Sequence, residues 1–255
     1  MCNSKLPNVF LVVHNTLGDE YKTELARTNP ENSHLVRKHE TFKIYSKKTI
    51  TCVSKGVLKD FKRLFPDHQQ CSQIYNPINI EHIRSAGEDE QGKYNDYIVH
   101  MGKFKREKRH DILIRVYAKA NTDKKLVLVG QGPLEIQYRE LVSSLGLTEK
   151  VIFTGFYKNP YPIIKNASLL VLSSDLEGLG MLILEAMALG TPVISSDCRS
   201  GPSEILPSQN LFPPGDIERL ADLLSKPNYS EYHRACSEKF RAEKVVELYL
   251  NKTLN

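Results

Sequence analysis

Tryptophan is absent from the 255 residues, and cysteine occurs only five times. Cys2, Cys52, Cys71, Cys198 and Cys236 are odd in number, and no two form a C-x-x-C pair. That argues against a disulfide framework or a zinc site and fits a reducing compartment. Long apolar runs are missing too. Residues 9–13 are too short for a signal-peptide core, and nothing approaches the ~18 apolar residues of a membrane span. A cytoplasmic chain is expected. Two nucleotide signatures are also lacking. There is no G-x-x-x-x-G-K-[ST] loop, and Gly130-Gln131-Gly132-Pro133 breaks off after two glycines, which speaks against a dinucleotide-binding dehydrogenase. The acidic residues at 88–90 read as a solvated charge run rather than a metal site.

What is present is ordinary in bulk: 40% hydrophobic and 25% charged residues, with a net charge of +5. The basic excess is uneven, because Lys103, Lys105, Arg106, Lys108 and Arg109 fall close together. Such a cluster suits phosphate, nucleic acid or an anionic membrane, or it is a solvated helix face.

The hydrophobic pattern predicts strands over 8–14, 49–54 and 72–75, with helices over 22–27 and 55–65. The Asn76-Pro77-Ile78-Asn79 stretch reads as a crossover, since the residue before proline is pushed to extended geometry. Residues 81–92 are polar and rich in charge. Beyond them the pattern becomes regular. Strands are expected at 97–101, 125–129, 151–154, 169–173 and 191–195. Helices are expected at 110–120, 134–145, 161–166, 181–189 and 217–224. Such alternation means parallel βαβ units in a doubly wound α/β sheet, whose ligands sit at the carboxyl ends of the strands. The close, 229–254, reads as one or two amphipathic helices packing back on the earlier unit.

The strongest local signal is Glu177-Gly178-Leu179-Gly180-Met181-Leu182-Ile183-Leu184-Glu185. Its helix is apolar all round and hence buried, and a buried carboxylate must be paired or hydrogen-bonded. An ionised carboxylate only accepts, so a vicinal diol such as a ribose satisfies it, and so does a core ion pair with lysine or arginine. Gly178 and Gly180 precede the helix start, where free amides and the macrodipole favour an anion. A plain tight turn is the alternative. The second signal is the loop from Gly102 to Lys108, whose cations can neutralise a diphosphate leaving group. His14 stands at the end of the first strand, as a structural residue or a contact in a cleft.

Together these residues resemble the retaining glycosyltransferases of family 4, which have the two-Rossmann GT-B fold. The resemblance runs from about Val9 to the carboxyl terminus. It is carried by the E-x7-E motif continuing into EAMALGTPVISSD and by GKFKREKRHDILI. LVGQGP, VIFTGF, YNPIN and FPPGD, in family order, add to it. It implies a GT-B type α/β fold with a complete carboxyl-terminal Rossmann-like domain and a partial amino-terminal one. The corresponding boundaries are 1–80, a linker at 81–96, a nucleotide-sugar domain at 97–228 and closing helices at 229–255. The Gly-rich loop and most acceptor contacts that open the family pattern have no counterpart here.

By the resemblance, Glu177 binds donor-sugar hydroxyls and Glu185 the ribose. The backbone of Gly178, Leu179, Gly180, Met181 and Leu182 holds sugar and phosphate. Lys108 matches the diphosphate-binding lysine, and Lys103 stands where the family has arginine, so charge is kept but bidentate geometry is lost. Gly102 opens this loop, Gly155 and Phe156 border the base, and His14 faces the sugar from the other domain. The implied reaction moves a hexose or N-acetylhexosamine from a UDP-sugar with retention. Attack is on the face the diphosphate leaves, and no metal cofactor takes part. The expected acceptor is a lipid-linked or surface glycan, with peripheral contact at the inner membrane and no nucleic acid partner. The stretch SSDCRSGPSEIL resembles members that build lipopolysaccharide, capsule or undecaprenyl-linked glycans. Two other functions fit the same residues: an inactive nucleotide-binding remnant or partner subunit, and a sugar-nucleotide epimerase of the same architecture.

Overall fold

A computed structural model of the chain describes residues 10–18, 45, 48–89 and 94–254. The helix expected at 22–27 and Cys2 lie outside the described residues. Two parallel sheets organise the rest. The smaller has the order β1-β2-β3, formed by Phe10–Val13, Thr49–Cys52 and Cys71–Gln73. The larger comprises β4 (Tyr97–Met101), β5 (Lys125–Val129), β6 (Val151–Gly155), β7 (Leu169–Leu172), β8 (Val193–Ser196) and β9 (Leu211–Phe212). Its order is β6-β5-β4-β7-β8-β9, so the chain winds outward from β4, then restarts beside it at β7. This is the doubly wound arrangement, and loops leaving β4 and β7 diverge to open a crevice at that switch point.

Both faces of the large sheet are covered, as a parallel sheet requires. Along β4, Tyr97 and Val99 enter one core and Ile98 the other. The first of these cores also takes in Ile50, Val57 and Phe61, so the small sheet and the large one share it. The helices are α1 (Lys55–Leu64), α2 (Ile80–Ala86), α3 (His110–Tyr117), α4 (Glu135–Ser144), α5 (Tyr161–Lys165), α6 (Met181–Leu189), α7 (Pro202–Ile205), α8 (Ile217–Leu224) and α9 (Ala242–Leu254). Three have side-chain caps. Ser54 accepts from the Val57 amide, Asn79 from His82 and Asp216 from Arg219, which fixes where each helix starts.

Several elements differ from the sequence expectation at their ends or are additional. The segment at 81–92, read as polar and charged, is helical over Ile80–Ala86. Asn79 starts that helix, and Ile80 and Ile83 bury its inner side. Helix α7 and the short strand β9 come as additions, because four and two residues carry no periodicity to read. At the close of the chain, α9 lies against the small sheet. The Lys252 ammonium donates to Thr51 Oγ1 at 3.2 Å and also bonds Ser72 Oγ.

Candidate functional site

Two loops meet at the switch point. The loop after β4 begins at Gly102, whose amide donates to Val129 O at 2.9 Å, and is anchored by Phe104, fully buried against His110 and Phe153. The Gly130-Gln131-Gly132 turn after β5 supports it from the side. A Cβ on Gly130 would fall 2.1 Å from Gly102 O, and one on Gly132 within 2.5 Å of the Phe104 backbone. Those two glycines therefore serve close passage of one loop past another, which explains why no third glycine follows.

The loop after β7 is bonded to this first loop at several points. Asp175 N donates to Glu107 O at 2.9 Å, and Ser173 Oγ donates to Lys108 O at 3.0 Å. Arg109, in the left-handed region at φ +50, reaches Asp175 with Nη1 at 3.0 Å and Asp111 with Nε at 3.1 Å. Lys108 Nζ then meets Glu177 Oε1 at 2.6 Å, and Ser174 Oγ donates to that same oxygen at 2.7 Å. Ser200 Oγ holds the Glu177 carbonyl from below. Sequence reasoning missed Ser174, Asp175 and Ser200, and it named Arg109 only as part of the basic cluster. Only their position just after strand ends in a doubly wound sheet marked them.

Gly180, φ +86, precedes helix α6 as its cap residue and provides no side-chain hydrogen bond, so the first-turn amides, Met181 and Leu182 among them, have no side-chain cap. Leu179 itself is buried, and only its backbone lines the loop. One turn further, Glu185 is half-buried. No described residue pairs with its carboxylate, and burial holds its pKa above the ordinary carboxyl value. The core ion pair considered for Glu185 does not occur among the described residues. The lysine pairing occurs at Glu177 instead, because Lys108 is on the adjoining loop. Burial, and after it the Glu185 charge, raise the pKa of Tyr161 in α5.

The β6–α5 segment forms one wall of a cavity of about 610 Å³. Gly102, Lys103 and Gln131 line one side, and Phe156, Tyr157 and Pro160 the other. Phe156 is 71% exposed, an unusual position for a phenyl ring and an open face for a planar ligand. Gly155 closes β6, and its carbonyl accepts from Gly130 N at 2.9 Å. Lys103 is exposed at the rim and has no ion pair among the described residues.

His14 reaches this site from the small sheet. A Cβ on Gly178 would lie 1.7 Å from His14 O, so only glycine lets the end of β1 sit on the Glu177 loop. The side chain of His14 is exposed above it. The structure thus brings together Gly102, Lys103, Lys108, Glu177, Gly178 and His14 around the two loops. Phe156 lines the cavity and Gly155 precedes it at the end of β6, whereas Glu185 lies one turn into α6 and is not among the lining residues. Among the described residues no group of three or more His, Cys, Asp or Glu side chains could hold a metal ion. No described helix is long and apolar enough to cross a membrane.

The model of the family Glycosyl transferases group 1 matches residues 84–239, which covers both loops, the cavity and α6. One curated relative is the N-acetylgalactosamine-N,N'-diacetylbacillosaminyl-diphospho-undecaprenol 4-alpha-N-acetylgalactosaminyltransferase of Campylobacter jejuni. It is 30% identical over 200 residues, 78% of this chain and 52% of that protein. The lipopolysaccharide 1,6-galactosyltransferase of Salmonella typhimurium is 30% identical over 68% of this chain and 50% of its own length. This chain thus spans about half the length of these relatives. Among solved structures, Anabaena HepE in complex with UDP-glucose superimposes with a TM-score of 0.76 at 19% identity. The match covers 95% of this chain and 71% of that one, and shows a shared fold. With the doubly wound sheet, the welded loops and a family match over more than half its length, the chain belongs to the group 1 glycosyltransferases.

Proposed function

We propose that this chain carries the donor half of a retaining glycosyltransferase. It moves a hexose or N-acetylhexosamine from a UDP-sugar to a lipid-linked or lipopolysaccharide-type glycan, without a metal. The observation that carries this reading is the half-buried Glu185 carboxylate, unpaired among the described residues, one helical turn from uncapped amides that follow the Lys108–Glu177 pair. A nucleoside diphosphate sugar supplies complementary groups in that order. Uracil stacks on Phe156, the ribose diol donates to Glu185, and the diphosphate takes the α6 amides with Lys103 and Lys108. Arrival of the phosphate frees Glu177 from Lys108, and its carboxylate then accepts from sugar hydroxyls.

The geometry suits a dissociating diphosphate. Negative charge grows on the leaving oxygen as the C1–O bond breaks, and two lysines with a helix N-terminus stabilise it. The acceptor oxygen bonds C1 from the same face and passes its proton to the departing phosphate oxygen, so configuration is retained. His14, above Gly178, closes the opposite side over the sugar. The undecaprenyl-diphosphate and lipopolysaccharide acceptors named for the relatives support a lipid-linked acceptor here. Helix α1 exposes Lys55, Lys59, Lys62 and Arg63, a basic face suited to anionic lipid at the cytoplasmic side of the inner membrane.

The test is UDP release from a panel of UDP-hexoses and UDP-N-acetylhexosamines in EDTA, with and without undecaprenyl-diphosphate-linked acceptors. Release that requires acceptor and yields an α-linked product from an α-linked donor supports the reading. Interconversion of the UDP-sugar without acceptor would instead establish an epimerase, and binding without any turnover a nucleotide-binding remnant.

A further inference from the structure

Outside the donor crevice, one carboxylate joins the two sheets. Glu204, in α7, accepts the Lys55 amide and the Gly56 amide at 2.9 Å each, and the Tyr75 hydroxyl at 3.0 Å. Its acceptors thus cap the first turn of α1 from a residue of the large-sheet unit, where an anion is favoured by the helix dipole. Burial and this carboxylate push the Tyr75 hydroxyl up to about 12, so it stays a donor. Lys239 adds a bond to the Glu204 carbonyl at 3.1 Å and lies over the Tyr75 ring.

The same short segment also touches the donor loop. Ser200 Oγ donates to Glu177 O, and a Cβ on Gly201 would fall 2.4 Å from Leu179 O. Ser200 packs so tightly on α1 that a Cβ on Gly56 would lie 2.3 Å from its own Cβ. Following α1 backward, the Val53 amide donates to Val13 O at 3.2 Å, and the next residue, His14, rests on Gly178. The contacts therefore close a ring that runs Glu177, Ser200, Glu204, Lys55 and Gly56, Val53, Val13, His14, Gly178. The ring has three joints between the sheet units: the steric seat of His14 on Gly178, the packing of Ser200 on Gly56, and the Glu204 carboxylate with its three donors.

We infer that Glu204 is a positioning residue that sets His14 over the Glu177 loop by fixing the amino end of α1. It touches neither the nucleotide subsites nor the reacting atoms, so its effect falls on the assembly of the two walls. The inference rests on the proposed transfer reaction for its consequence in turnover, but not for its structural content.

Glu204→Ala and Glu204→Gln in the full chain test it. In Glu204→Ala, deuterium exchange at the Val53, Lys55 and Gly56 amides should quicken about tenfold or more. UDP affinity by calorimetry should stay within about twofold, since the donor groups lie on another part of the large-sheet unit. With UDP-N-acetylglucosamine or UDP-galactose as donor, kcat should fall about tenfold or more while donor KM holds, the pattern of a misplaced wall. Glu204→Gln keeps one acceptor oxygen and should fall between. Unchanged exchange at those three amides overturns the inference. So does UDP affinity that weakens in step with kcat, which marks general loosening. If the parent chain neither binds UDP nor turns over, the nucleotide-sugar reading fails by itself. The exchange at Val53 then still decides whether Glu204 sets the His14 end of β1.

Discussion

Replacing Glu185 with glutamine should move stability and affinity in opposite directions. In the free protein the carboxylate is half-buried with no described partner, and burial raises its pKa above the ordinary 4.5. An uncompensated buried polar group costs ~1–3 kcal/mol in mutational data, and partial solvent access at this site reduces that to about 0.5–1 kcal/mol. Neutral glutamine relieves most of it, so Tm should rise by ~1–4 °C for a chain of this size. Because the folded pKa is the higher one, folding favours the protonated acid. The carboxyl is harmless below pH 4.5, and its cost builds as pH rises through the raised value. The Tm gain of Glu185→Gln should therefore be absent near pH 4 and complete by neutral pH. UDP binding should behave inversely. A hydrogen bond to a charged acceptor contributes ~1.5–3 kcal/mol, so the Kd for UDP should weaken ~10- to 150-fold at neutral pH. Calorimetry with UDP and thermal melts across pH read both. A glutamine variant that is less stable than the parent and binds UDP equally well would refute the reasoning.

Three further outcomes follow from the same geometry. Lys108→Ala leaves Glu177 with Ser174 as its side-chain donor. The pair is only partly exposed, at 28% and 14%, so melts should show a loss of about 1–2 kcal/mol and calorimetry a roughly tenfold to hundredfold weaker Kd for UDP. Phe156→Ala removes a ring that is 71% exposed, so stability should change by less than about 0.5 kcal/mol while UDP affinity falls by ~1–3 kcal/mol. His100 and His110 are buried and neutral, with burial pulling them down to about 4 and about 2. Their contribution is present above pH 6.5 and is lost as pH falls toward 4, so His110→Phe should narrow the drop in urea midpoint between pH 7.5 and pH 5.

Much of the large sheet was legible because its strands are apolar runs bounded by glycine or proline and its helices have clear ends. Tyr97–Met101, Lys125–Val129, Met181–Leu189 and Ile217–Leu224 fall where the pattern puts them. What escaped reading is nonlocal. Helix α2 exists because Asn79 caps it and Ile80 and Ile83 find a core to enter, which its charged surface conceals. The Glu177–Glu185 segment stood out as a buried-carboxylate problem centred on Glu185, yet the pair that forms, Lys108 with Glu177, could not be assigned from spacing. The answer depends on β4 and β7 being neighbours in the sheet. Glu204 was invisible for the same reason, since its three donors come from α1 and the segment after β3.

The most direct test of the account is the structure of this chain with UDP bound. The ribose should lie within hydrogen-bond distance of Glu185, the diphosphate between Lys103, Lys108 and the first amides of α6, and the uracil against Phe156. UDP seated elsewhere, for example in the cavity flanked by Arg84, Lys165 and His233, would contradict it.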